Sequence, residues 1–85
     1  MAKRERLEII HDILIAINSN KTIRPTKLLH KSNLSPQMFK EYTKELLKKK
    51  FIIQNESKIF SITKKGQEFL MKYKTILNFI DNFGL

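Results

Sequence analysis

Hydrophobic positions in the first fifth of the chain recur at the spacing of a helix. Steps of mostly three residues place them on one face of a helix from Arg4 to Ile17. Two further apolar residues widen this face, which indicates a central position. The Asn- and Ser-rich residues 18–21 predict the end of the helix, because their side chains compete for backbone hydrogen bonds. The apolar positions are Leu7, Ile10, Ile13, Leu14 and Ile17.

Two shorter helices are predicted next, separated by a tight turn. Pro25 fits the first turn of a helix that ends near Ser32, because the missing N–H costs nothing there. Asn33 is a candidate left-handed turn residue, and the Ser-Pro pair at 35–36 caps and starts a third helix to about Lys49. The buried side of this helix is predicted to carry Phe39, Tyr42, Leu46 and Leu47, and the opposite side Gln37, Lys40, Glu41, Lys44 and Lys48.

The rest of the chain predicts a hairpin and a fourth helix. Residues 51–54 and 59–62 are β-branched and aromatic, and a polar turn at 55–58 separates them. Thr63 is the predicted cap of the last helix, whose apolar residues alternate at steps of four and three. These residues are Phe69, Tyr73, Ile76, Ile80 and Phe83, with Leu70 and Leu77 alongside.

This order of elements is typical of a winged helix-turn-helix domain, mainly helical with a small β-hairpin. We expect one domain over residues 1–85, with three helices and the wing in 1–63 and a C-terminal helix in 64–85. A chain of 85 residues buries only somewhat more than roughly 60% of its unfolded surface, so a second subunit would help. The last helix either closes a monomer or pairs with its mate. The wide apolar face favours a homodimer through Phe69, Tyr73, Ile76, Leu77, Ile80 and Phe83.

Several classes of function lack the residues they need. The chain has no cysteine, which removes disulfides and thiolate metal sites. Its longest apolar run, 13–17, is far short of the roughly 20 residues of a membrane span. His11 and His30 stand apart and are interpreted as surface or packing residues. We therefore expect no enzyme, no catalytic residue, no metal, no cofactor, no small-molecule substrate and no membrane partner, and a cytoplasmic, nucleoid-associated location.

The positive charge is concentrated in the middle of the chain. The net charge is +9, and residues 21–65 hold twelve cations against three carboxylates, while both flanking segments sum to zero. Such segregation indicates an anionic partner. The alternative is that lysines merely solvate a small surface, with Glu41 and Glu45 partly neutralising the third helix.

Double-stranded DNA is the partner that the pattern favours, since the major groove admits one helix. The third helix would enter it, with Gln37 facing adenine, while the second helix and the wing contact phosphates. The alternative is a protein-docking module with an acidic partner. RNA is disfavoured because no aromatic residue interleaves the basic face. The predicted DNA contacts are Arg24, Lys27, Lys31, Ser35, Gln37, Lys40, Lys44, Lys48, Lys58, Lys64 and Lys65.

Two segments also resemble a known family. The stretch NLSPQMFKEY at 33–42 and the stretch ITKKGQEFL at 62–70 are similar to those of the small basic crenarchaeal winged-helix DNA-binding proteins of about ten kilodaltons. The resemblance implies double-stranded DNA binding, by an architectural protein or a transcriptional regulator, and a dimer formed by an antiparallel coiled coil of the last helix. Lys50 stands where such proteins usually carry a helix-ending glycine, so that turn is expected to be strained or differently built.

Overall fold

Four helices and three short strands alternate along the chain. The computed structural model describes residues 6–84. Every predicted helix and both hairpin strands are present in the predicted order, which confirms the mainly helical fold with a small sheet. The elements are α1 (Arg6–Asn20), β1 (Thr22–Ile23), α2 (Pro25–Ser32), α3 (Pro36–Lys48), β2 (Ile52–Gln54), β3 (Phe60–Ile62) and α4 (Lys64–Asn82).

α1 extends further than the polar pattern predicts. The predicted break over residues 18–21 falls at the end of that segment, because the helix continues through Asn20. The Asn20 side-chain amide donates to the carbonyl oxygen of Ala16 at 2.7 Å, so it bonds within the helix instead of opening it. The helix stops where Lys21 takes a φ of 62°. Arg4, the predicted start, lies outside the described residues.

The turn between α2 and α3 has the predicted construction. Asn33 is left-handed, with φ of 56°, and its N–H donates to the carbonyl oxygen of His30. The Ser35 hydroxyl oxygen accepts the N–H of Met38 at 3.2 Å. Pro36 occupies the first helical position, where its lack of an N–H costs nothing. Both caps are local, which is why the sequence predicts them.

A strand that the sequence analysis missed completes the sheet. β3 lies at the centre and pairs antiparallel with both β1 and β2. Ile23 of β1 faces Phe60 of β3, and Gln54 of β2 faces the same residue from the other side. β1 is two residues long, too short to give an alternating pattern. The hairpin β2–β3, with its turn at 55–59, forms the wing.

α1 lies at the centre of the core, as its wide apolar face predicts. Ile13, Leu14 and Ile17 have no exposed surface. Each side chain of this size contributes about 1.5–3 kcal/mol when it is buried. Every other element adds at least one buried apolar residue to this core: Ile23, Leu28, Leu46, Ile52, Phe60 and Leu70.

The turn after α3 keeps the geometry of a glycine-ended helix although it contains a lysine. Lys50 has a φ of 67°. Its N–H donates to the carbonyl oxygen of Leu47 at 3.1 Å, and the N–H of Phe51 donates to that of Leu46 at 2.9 Å. This pair of bonds is the Schellman motif. The predicted strain therefore lies in the left-handed backbone of Lys50, and the turn itself is not rebuilt.

The start of α4 is fixed against the end of α3. The Thr63 hydroxyl oxygen accepts the N–H of Gly66 at 3.2 Å, which confirms the predicted cap, and it lies 2.7 Å from the carbonyl oxygen of Lys50. A Cβ at position 66 would lie 2.4 Å from the carbonyl oxygen of Phe51 and 2.6 Å from Cγ1 of Ile62. Only glycine fits this close approach.

Candidate nucleic-acid interface

The exposed face of α3 carries a row of unpaired cations. Lys40, Lys44 and Lys48 are all exposed and four residues apart, so they lie on one side of the helix. Among residues 6–84, the ion pairs are Arg6–Glu45, Lys49–Glu45 and His11–Asp12, and none involves this row. The neighbouring Glu41 is exposed and forms no ion pair with Lys44. The row therefore keeps its full positive charge.

The Glu45 carboxylate pairs with cations outside the lysine row. Its carboxylate accepts from the Lys49 ammonium at 2.9 Å and from the Arg6 guanidinium. The Lys49 hydrogen bond, followed by that of Arg6, lowers the pKa of Glu45 below its usual value. The pKa of Arg6 is raised by the same pairing. Arg6 also lies 5.8 Å from the centre of the Tyr42 ring, so this cluster joins α1 to α3 and leaves Lys40, Lys44 and Lys48 unpaired.

A groove runs between α3, the start of α2 and the wing, and we call it the α3 groove. Its volume is about 490 Å³ and it is open to solvent. Lys40 and Lys44 belong to its lining, so two members of the lysine row also border this groove. The lining residues are Pro25, Phe39, Lys40, Thr43, Lys44, Leu47, Gln54 and Phe60.

Two cations of the α2 region come together with the wing. Arg24 and Lys27 line a depression of about 350 Å³ together with Ile59 of the wing turn. Lys58 is exposed at the wing tip with φ of 69°. The side-chain oxygen of Asn55 accepts the N–H groups of Ser57 at 2.9 Å and Ile59 at 3.0 Å, which fixes the turn that presents Lys58.

Five predicted contacts have other surroundings. Lys31 lines a depression beside α1 that includes Asp12 and Asn20. The Lys65 ammonium donates to the carbonyl oxygen of Lys49 at 2.8 Å and lies 4.6 Å from the centre of the Phe51 ring. Ser35 is exposed and caps α3, and Lys64 and Gln37 are simply exposed. Lys65 thus stabilises the α3–α4 joint, a role that the sequence analysis missed.

The predicted dimer residues divide into two groups. Phe69 and Tyr73 are half-buried and their rings stack at 5.7 Å, and Tyr73 stacks on His11 of α1 at 4.6 Å. The stacking assigns His11 a packing role, as predicted. Ile76 and Phe83 are 56% and 66% exposed. The second group is Ile76, Leu77, Ile80 and Phe83, and together with Phe79, which the sequence analysis did not include, it forms an apolar stripe that the described chain leaves uncovered.

Sequence reasoning missed the residues that build the α3 groove from outside α3. Pro25 and Gln54 come from α2 and β2, and they meet Phe39 only in the folded chain. Only the pairing register of a very short strand could have indicated Gln54. Among residues 6–84, no three His, Asp or Glu side chains come together as metal ligands. None of the described helices has the length and hydropathy that a membrane crossing requires.

Comparisons with known proteins agree with this architecture. A sequence model of the winged helix-turn-helix family matches residues 3–81. The uncharacterised protein MJ0290 of Methanocaldococcus jannaschii is 32% identical over 78 residues, which are 92% of this chain and 36% of the relative. The chain thus spans about a third of that protein's length. Sso10a-2, a DNA-binding protein from Sulfolobus solfataricus, shares the fold, with a TM-score of 0.75 and 22% identity over 94% of this chain and 85% of that one.

Proposed function

Because the chain belongs to the winged helix-turn-helix family, we propose that it binds double-stranded DNA through α3. The resemblance to a small archaeal winged-helix family is confirmed in the fold and in the archaeal relatives. We infer a binding protein and not an enzyme, in line with the sequence analysis, since the winged helix-turn-helix match spans residues 3–81. Sso10a-2 is a DNA-binding protein by name, which supports the same role here.

The lysine row of α3 is the observation that carries the proposal. Three like charges at steps of four residues repel one another on an isolated helix, and no described carboxylate relieves them. DNA phosphates would relieve this repulsion and release counterions on binding. In the proposed complex, α3 lies in the major groove, with Gln37 and Lys40 nearest the base edges. Arg24, Lys27 and Lys58 contact the phosphates on either side.

Salt dependence is the direct test. The cations on α3, around the start of α2 and at the wing tip are counted as phosphate contacts, and there are six of them: Arg24, Lys27, Lys40, Lys44, Lys48 and Lys58. Six contacts predict a loss in affinity of about 10³-fold between 50 and 200 mM salt. Fluorescence anisotropy with a random duplex measures it. Binding that is micromolar or weaker at 50 mM salt and no weaker at 200 mM would contradict the proposal.

A pair of matched variants locates the surface. Replacing Lys40 and Lys44 with Gln removes two charges from α3 and should reduce the slope of log affinity against log salt by about two. Replacing Lys72 and Lys74 with Gln removes two charges from exposed positions of α4 and should leave the slope nearly unchanged. Equal effects of the two pairs would mean that net charge, and not α3, governs binding. Tighter binding to an acidic protein than to any duplex would favour the docking alternative.

The biological role within DNA binding depends on specificity. We infer either an architectural protein or a transcriptional regulator, and the ratio of affinities for selected and random duplexes separates them. A ratio near one indicates an architectural protein of the nucleoid, while a ratio of about 10³ or more indicates a regulator. Selection of bound duplexes from a random pool supplies the sequences to compare.

We further propose that the protein is a homodimer whose α4 helices pair through the uncovered apolar stripe. A monomer would leave five large apolar side chains of α4 and its C-cap in water, and pairing would bury them. Replacing Ile76 and Ile80 with Glu should give a folded monomer in sedimentation. Met71 is 70% exposed and lies on the opposite side of α4, so Met71→Glu should remain dimeric. A monomeric wild type, or an unchanged dimer of the double variant, would rule out this interface.

A further inference from the structure

The α3 groove combines an apolar floor with two cations at its edge. We propose that it binds a small organic anion, a carboxylate with an aromatic or aliphatic body, and that this ligand competes with DNA. The competition rests on the proposed function, because it assumes that Lys40 and Lys44 contact DNA. Ligand binding itself does not depend on that assumption.

The floor of the groove is aromatic and aliphatic. Phe39 and Phe60 meet edge to face, with ring centres 6.5 Å apart, and Pro25 and Leu47 extend the apolar surface. Thr43 also lines the groove, but its hydroxyl proton is used within α3, where it donates to the carbonyl oxygen of Phe39 at 2.9 Å. The apolar part of a ligand would therefore replace water against carbon atoms.

The edge of the groove selects an anion. Lys40 and Lys44 are the charged members of the lining described above, and no acidic residue of the described chain belongs to it. Gln54 is the remaining polar residue, and its side-chain amide donates to the carbonyl oxygen of Lys58 at 3.0 Å. The two ammonium groups are the charged donors that remain for a carboxylate. Together they prefer a carboxylate with an apolar body to a neutral apolar molecule or a simple salt anion.

The dimensions of the groove fit this class of ligand. A volume of about 490 Å³ lies within the range of about 300–1,000 Å³ that is common for small-molecule sites. The walls come from α2, α3 and the sheet, which share the buried core, so they are held in place without a ligand. A bound carboxylate would neutralise Lys40 and Lys44, the two lysines proposed to contact DNA.

The first experiment measures the ligand alone. We would titrate uniformly ¹⁵N-labelled protein with 2-naphthoate and follow amide chemical shifts, with 2-naphthalenemethanol as the neutral analogue and acetate as the head group alone. We expect saturable shifts at Thr43, Leu47 and Gln54, at least fivefold weaker binding of the alcohol and no shifts with acetate. The amides of residues 76–83 report any binding to the apolar stripe of α4.

The variants separate the contribution of charge from that of the apolar floor. Replacing Lys40 and Lys44 with Gln should weaken 2-naphthoate binding about tenfold, while replacing Lys72 and Lys74 with Gln should not change it. Leu47→Trp places a larger side chain on the floor and should weaken binding of both aromatic compounds. The amide spectrum of each variant shows whether it is folded, and the charge variants preserve the test if Leu47→Trp does not fold.

The DNA experiment then tests the competition. At a 2-naphthoate concentration ten times its own dissociation constant, pure competition raises the apparent Kd for a random duplex about elevenfold. Saturable groove binding without this effect would contradict the competition. Failure of DNA binding with intact naphthoate binding would contradict the proposed function and, with it, the competition, while the ligand site itself would stand.

Other results would overturn the ligand site itself. Shifts confined to residues 76–83, equal affinity for the alcohol and the acid, or no saturation would each do so. Shifts at the groove that follow protein concentration instead of naphthoate would mean that a second copy of the chain occupies it.

Discussion

The two halves of α4 carry the same apolar spacing in different surroundings. In the first half, Gly66 and Leu70 are buried, and Phe69 and Tyr73 pack against the core and α1. In the second half, all residues at 74–82 are exposed. Helical periodicity therefore identifies an apolar face but not what covers it. The first half of α4 is anchored, and the second half presents the stripe.

A substitution in the anchored half should lower the stability of the protein most at Gly66, where α4 comes closest to its neighbours. Gly66→Ala places a methyl group 2.4 Å from the carbonyl oxygen of Phe51, so the helix start must move away from the sheet. We expect a loss of about 3 kcal/mol in the free energy of unfolding, measured by urea denaturation. Gln67→Ala, at an exposed helical position, is the control and should change it by less than about 0.5 kcal/mol. Tolerance of Gly66→Ala would mean that the first half of α4 is loosely attached.

Alanine substitutions one heptad apart compare the halves directly. Leu70 is 9% exposed and Leu77 is 44% exposed. Leu70→Ala should cost about 2 kcal/mol at every protein concentration, because it leaves a cavity in the chain's own core. Leu77→Ala should lower stability only where the protein dimerises, so its effect should grow with concentration. Thermal unfolding over a hundredfold range of protein concentration measures the effects of both substitutions. The same concentration dependence for the two variants would contradict the distinction between an anchored and an uncovered half of α4.

A smaller effect is expected at the turn that leads to the anchored half. Lys50 is left-handed, a conformation that costs a non-glycine residue free energy. Lys50→Gly should raise the free energy of unfolding by about 0.5–1 kcal/mol. Lys49→Gly, at a neighbouring position with φ of −88°, should not stabilise the protein. If both substitutions changed the free energy of unfolding equally, or if Lys50→Gly lowered it, backbone strain at Lys50 would be unimportant.

The smallest effect concerns the ion pairs of Glu45, which border Phe69 of the anchored half. The pKa of Glu45 is lowered in the folded chain by Lys49 and Arg6. The pairs therefore add stability above the ordinary glutamate pKa of about 4.3 and lose it as the pH falls through the lower folded value. Glu45→Gln should lower Tm slightly at neutral pH and not in strong acid. Glu41→Gln is the control on the same helix, and a Tm difference for Glu45→Gln that persists in acid would contradict the assignment.

The parts of the fold that the sequence predicts are those set by interactions between residues close together in the chain. The helix caps formed by Asn33, Ser35 and Thr63 use backbone groups within three residues of each, so sequence alone identifies these helix ends. β1 is different, because two residues become a strand only when β3 lies beside them. That the chain forms a single domain over residues 1–85 stays a prediction.

The candidate site was predictable only in part for the same reason. The sequence places Lys40, Lys44 and Lys48 on one side of a helix because their spacing is helical. It gives no sign that Lys65 bonds to the end of α3 or that Lys31 faces α1. The groove joins Pro25, Phe39 and Gln54 across three elements, and such convergence depends on tertiary packing.

The wing is short, and this limits how much DNA one copy can cover. β2 and β3 have three residues each, so each strand rises roughly 10 Å. In the proposed DNA complex, we expect a wing with strands this short to reach the nearest phosphate strand without passing along the neighbouring minor groove. One subunit would then occupy little more than a single turn of the duplex, and a longer footprint would require a second copy at a fixed separation.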